Sequence, residues 1–151
     1  MQRKKYPGFS LIEILIVVGL ILILAAVTIV AINPAKHFRD TRNSQRSADI
    51  SELLNAVTQF TAEEGRTLAD LGITNACEDG WGGAVVIGTG AAAISLEELV
   101  PEFIVEIPQD PSRGSETDTG YRICQSEGGR VEIRAQEETA DGVGEILVVK
   151  R

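Results

Sequence analysis

A single carboxylate stands where a long apolar run begins. Glu13 is followed by nineteen residues without a charge, Ile14 to Ile32. On insertion scales an ionisable side chain at the centre of a membrane helix costs about 2.5–3.5 kcal/mol, and less near its edge. A chain that needed only an anchor would do better with leucine, so the position points to a use for the charge. Other groups able to do chemistry are few. Cys77 and Cys124 are the two thiols, and in a body outside the cytoplasm an even pair reads as one disulfide. Its closed loop would contribute about 4 kcal/mol by chain-entropy reasoning, and two buried free thiols are the alternative. Carboxylates gather at Asp110, Glu116 and Asp118. His37 is the sole histidine, which makes neither a metal site nor a triad credible. There is no glycine-rich phosphate loop ahead of a helix, no Cys/His metal spacing and no nucleophile elbow. The chain reads as a non-enzyme.

The elements that position Glu13 are a basic leader and the apolar run. Ile14 to Ile32 is long enough to cross about 30 Å of hydrocarbon at about 1.5 Å per residue. Three readings compete: a plain anchor, an ordinary secretory signal, and a segment kept after a cut at Gly8/Phe9. No Ala-x-Ala triplet follows the run, which counts against the second. Arg3, Lys4 and Lys5 precede it and Lys36, Arg39, Arg42 and Arg46 follow, so the flanking charges leave its orientation open. The 151 residues carry 14 basic and 22 acidic side chains, formally −8. Without Arg3, Lys4 and Lys5 the balance is 11 to 22, formally −11. That argues against nucleic acid as a direct partner, because phosphate backbones demand basic clusters, and it suits a solvated extracytoplasmic surface. Past residue 34, 117 residues remain, enough for one small core.

Gly8-Phe9-Ser10-Leu11-Ile12-Glu13, behind Lys4-Lys5 and ahead of the unbroken apolar run, resembles the processing site of the type IV pilin and type II secretion pseudopilin superfamily (the class III signal). The resemblance implies a leader of residues 1–8, cleavage after Gly8 by a membrane aspartyl prepilin peptidase, and methylation of the new amino group of Phe9. It also implies assembly through Glu13, the fifth residue of the mature chain. The chemistry is consistent from below. Cleavage puts a cationic amine at a helix N-terminus, where the dipole disfavours it, and a neighbour's carboxylate would neutralise it in a low dielectric. A contact between Glu13 and Phe9 within one chain, one turn apart, is the alternative. The resemblance further implies homo- or hetero-polymers with pilin-like subunits, an inner-membrane assembly platform, and lipid around the helix before assembly. The location would be the cytoplasmic membrane as a single-pass protein with its body outside, then a pilus or pseudopilus. A monomeric single-pass membrane protein with an extracytoplasmic binding domain is the competing function.

Residues 9–34 are expected as a transmembrane or filament-core helix, 35–65 as an amphipathic helix, and 66–151 as a loop-rich region leading into an antiparallel sheet. Ile50, Leu53, Leu54, Val57 and Phe60 recur at three and four, a helical stripe, and Gly65 is a natural stop. The preceding stretch Phe38–Arg46 is polar, and Arg39, Arg42 and Arg46 read as a solvated stripe facing lipid head groups. Trp81 reads as a loop-packing anchor. Ser95–Glu98 reads as a capping box opening a short helix over about Leu96–Val100. Ala84–Ile87, Tyr121–Cys124, Val131–Ala135 and Ile146–Val149 read as strands, with glycine-marked turns. A long N-terminal helix laid on a small antiparallel sheet, an α+β fold, is also what the family resemblance implies. Some pseudopilins hold calcium after a turn like Ile107-Pro-Gln-Asp-Pro111, which makes calcium on Asp110, Glu116 and Asp118 the candidate cofactor, against a solvated acidic loop.

Overall fold

The computed structural model describes residues 8–142 and 144–151; most of the leader, residues 1–7, lies outside that range. The chain forms two compact units, the first ending at His37 and the second spanning Phe38–Arg151.

In the first unit, α1 runs Leu11–Ile32, 22 residues. At 1.5 Å per residue this is about 33 Å, the thickness of a bilayer core. None of its residues is buried. Asn33 ends it in the left-handed conformation (φ 48°), which asparagine tolerates because its short amide can bond locally. The Asn33 carbonyl accepts the Lys36 amide at 3.0 Å and its Oδ1 accepts the same amide at 3.4 Å. Pro34 is thus the first residue of α2, Pro34–Ala62, where a missing N–H is no loss. The proline opens the second helix rather than kinking a continuous one.

The second unit is α+β. Four strands, β1 Val85–Val86, β2 Tyr121–Gln125, β3 Val131–Gln136 and β4 Ile146–Lys150, form an antiparallel meander in sequence order. The register pairs Ile123 with Ile133 and Ile133 with Val149. Ile50, Leu53, Val57 and Phe60 of α2 join Tyr121, Ile123, Ile133 and Ala135 in one core, as the three-and-four spacing requires. The short helix expected after Ser95 is present as a 3-10 turn, Glu97–Leu99. Leu96 begins it without a side-chain cap, and Pro101, which has no amide to donate and holds Val100 in an extended conformation, ends it.

The far face of the sheet is also covered. Glu132 and Arg134, which alternation would send to solvent, are buried. They pair at 2.6 Å, and Arg134 Nη1 donates to the Gly80 carbonyl of the overlying loop. That loop is fastened by a Cys77–Cys124 disulfide with Cα atoms 5.1 Å apart. Its edge continues into the sheet, where Cys77 N donates to the Gln125 carbonyl at 2.9 Å and Gln125 N donates to Asn75 at 2.8 Å.

Candidate functional site

The N-terminal site is built from the first turn of α1. Ser10 is the residue just outside the helix, with extended backbone. Its Oγ accepts the Glu13 amide at 3.3 Å, and Glu13 Oε2 accepts the Ser10 amide at 3.4 Å. This is a reciprocal capping box, Ser-x-x-Glu. It satisfies two of the four N–H groups that a helix start leaves open, and it sets a carboxylate against the positive end of the dipole. The sequence signal, Ser10-Leu-Ile-Glu13, was legible but hidden by the apolar context. Glu13 therefore has a local partner, and its carboxylate folds back toward the Phe9–Ser10 peptide. Phe9, Leu11 and Ile12 are exposed around it.

A second polar constellation holds the front half of α2. Arg46, expected on a solvated stripe, is fully buried, which corrects that reading. Its Nε and Nη2 donate to Asp110 Oδ2 and Oδ1 at 2.6 and 2.9 Å, the bidentate geometry that a planar guanidinium favours. Nη1 donates to Asn43 Oδ1 at 2.7 Å, and Nη2 also reaches Ser112 Oγ. Arg42 donates to both Glu138 oxygens at 2.7 and 2.5 Å, so it too is engaged by the body. Asn43 exchanges two bonds with the Glu138 backbone, each 2.9 Å. Below Arg46 on the same face, Tyr121 donates its hydroxyl to Asp49 at 2.5 Å. An apolar stripe that starts at Ile50 does not reveal these residues. Extending it by three and four residues reaches Arg46, Asn43 and Arg42, a buried face carried on by polar side chains.

The electrostatics follow from the packing. Burial alone would raise the Asp110 carboxyl, but the Arg46 hydrogen bonds and charge and the Ser112 amide outweigh it and hold it well below the usual range. Arg42 brings Glu138 down to about 2. Burial, reinforced by Asp49, pushes the Tyr121 hydroxyl well above its ordinary value. Gly120 permits this arrangement: it has φ +81°, and a Cβ there would lie 2.6 Å from that of Asp110.

Of the three carboxylates expected around calcium, Asp110 faces Arg46, while Glu116 and Asp118 are exposed on the following turn. Asp118 Oδ1 accepts the Gly120 amide at 2.8 Å. The three do not converge. Among the described residues, the ligating atoms close enough to share an ion are those of Cys77, Cys124 and Glu132, and both sulfurs are spent in the disulfide. Trp81 is held as a packing anchor, its Nε1 donating to Gln136 Oε1 at 2.9 Å.

A search of curated proteins and a search of solved structures each return no significant match. A family model does match at the N-terminus, where basic flank, Gly8-Phe9, capped Glu13 and bare apolar helix coincide. Residues 3–29 carry the prokaryotic N-terminal methylation motif, the class III signal of type IV pilins and pseudopilins.

Proposed function

We propose that this chain is a pilin-like structural subunit, cut after Gly8 by prepilin peptidase, methylated on the Phe9 amine, and polymerised through α1 into a type IV pilus or pseudopilus. The match of residues 3–29 to the methylation motif carries the reading. Two structural features support it. The apolar helix is long enough to span a membrane and buries nothing within its own chain, so it is free first for lipid and then for other such helices. The Glu13 carboxylate already sits at the first turn, one residue from the nitrogen that cleavage would convert to an amine.

Cleavage changes the balance at that turn. The new cation stands at the positive end of the α1 dipole, where a carboxylate at short range in low dielectric is the strongest available compensation. Within one chain Glu13 would be shared between cap and amine. Between chains, a neighbour's Glu13 would meet the amine and fix the axial register. Before assembly the helix resides in the cytoplasmic membrane with the body outside, and an assembly platform extracts it. Intact mass and terminal sequencing of protein from its native membrane test the order of events. The expected N-terminus is N-methyl-Phe9. An intact Met1 would instead support a monomeric membrane protein with an extracytoplasmic binding domain.

A further inference from the structure

On the sheet face turned away from α2, a recess of about 270 Å³ is lined by Trp81, Arg113, Asp118, Gly120, Arg122 and Gln136. Arg122 lies over the Trp81 ring, with its guanidinium carbon 5.3 Å from the centroid. Its side chain makes no hydrogen bond or ion pair among the described residues, although it is partly buried. Its cross-strand partner is Arg134, and like charges directly opposite destabilise a sheet. Arg134 is neutralised by Glu132 and loop carbonyls, whereas Arg122 is met only by a π face. Stacking on an indole leaves the N–H edge of a guanidinium free, and that edge matches a carboxylate. Arg113 adds a second cation, anchored by its bond to the Gln136 carbonyl at 2.9 Å and already 3.6 Å from Asp110 Oδ2, so Arg122 is the principal carboxylate ligand. The one acid present, Asp118, already accepts the Gly120 amide.

A surface of opposite character exists on the same molecule. Glu97, Glu98, Glu102 and Glu106 are exposed, and no ion pair engages them among the described residues. Between the last two stands Val105, 83% exposed. This acidic ridge packs inward through Leu99 and Ile104, and Phe103 meets Phe60 of α2 edge-on at 5.8 Å. The ridge is thus on the α2 side of the body and the recess on the other. A contact between two such different patches is heterologous, and unless it closes into a ring it propagates an open helical polymer.

We infer that the Trp81–Arg113–Arg122 recess binds a carboxylate of the Glu97–Glu106 ridge on a second copy of this chain, with Val105 against the indole. The inference rests on the filament reading and names the body-to-body contact that would accompany helix packing. Arg122→Lys keeps the charge and supplies an amine that a carbodiimide can couple to a touching carboxylate. Full-length chains with this substitution, half of them isotopically labelled, are assembled together in their native envelope, treated with carbodiimide and digested. The expected product is a mixed-mass peptide pair joining position 122 to Glu97, Glu98, Glu102 or Glu106. Cross-links only to Asp118 of the same chain, or only to peptides outside the ridge, overturn the inference. In parallel, Arg122→Glu should reduce sedimentable polymer severalfold while cleavage after Gly8 continues. Undiminished polymer overturns the inference and leaves the filament reading standing. If the wild-type chain yields no polymer, the filament reading fails and the inference falls with it.

Discussion

Glu13 caps Ser10 in the structure and, in the proposed filament, would meet the Phe9 amine of a neighbour; a conservative substitution separates the two roles. Glutamine preserves a capping box, since its side-chain oxygen accepts the same amide, but it carries no charge. Glu13→Gln is therefore expected to insert and be cleaved normally yet fail to enter filaments, as Glu13→Leu should. Normal assembly of the glutamine variant would reduce Glu13 to a helix cap. Arg46 is the second residue on which much depends. Removing one member of a buried ion pair leaves the other uncompensated, at a cost of about 3–5 kcal/mol. Arg46→Ala should lower the unfolding midpoint of the body accordingly, and a denaturation series will show it. The linked pH dependence has a definite sign. Asp110 and Glu138 have depressed native pKa values, so their stabilisation is complete above the ordinary carboxylate range. It is lost as pH falls from about 4.5 through about 2 for Glu138 and further down for Asp110. Tyr121 has a raised value, so its contribution is complete below about 10 and fades as pH rises above that. Asp110→Asn should flatten the acid limb relative to the parent chain.

Among the elements, α2 is held in two ways along its length. From Ile50 to Phe60 it packs apolar side chains on the sheet. From Arg42 to Arg46 it is tied by charge-assisted hydrogen bonds to the turn at Asp110–Ser112 and to the segment around Glu138. The loop over the outer sheet face depends on a different fastening. A disulfide spanning 47 residues removes about 4 kcal/mol of chain entropy from the unfolded state. The double variant Cys77→Ser, Cys124→Ser should therefore melt many degrees lower. Its 77–83 loop should also become the first site of limited proteolysis, exposing Glu132 and Arg134. Cleavage at an unchanged rate would mean that the loop is held by Trp81 and its bond to Gln136 rather than by the bridge.

At the scale of the whole molecule, calcium is expected to leave the melting temperature unchanged, because both oxygens of Asp110 already serve Arg46. A higher midpoint in calcium than in chelator would restore a metal at Glu116 and Asp118. The sequence by itself determined the features that depend on local order. A carboxylate at a set offset from a Gly-Phe pair, an apolar run of membrane length, a three-and-four stripe and four short alternating strands are all written in adjacent residues. The apolar run became α1 and the stripe the core face of α2, and the four strand segments became the meander, although Glu132 and Arg134 break the alternation by being buried. Only the tertiary structure decided which distant groups meet. Arg46 and Asp110 are 64 positions apart, and nothing local distinguishes a lysine-like surface arginine from one whose charge is matched in the core. The Ser95–Glu98 motif is followed by a helical turn, but Pro101 close behind it limits that turn to Glu97–Leu99.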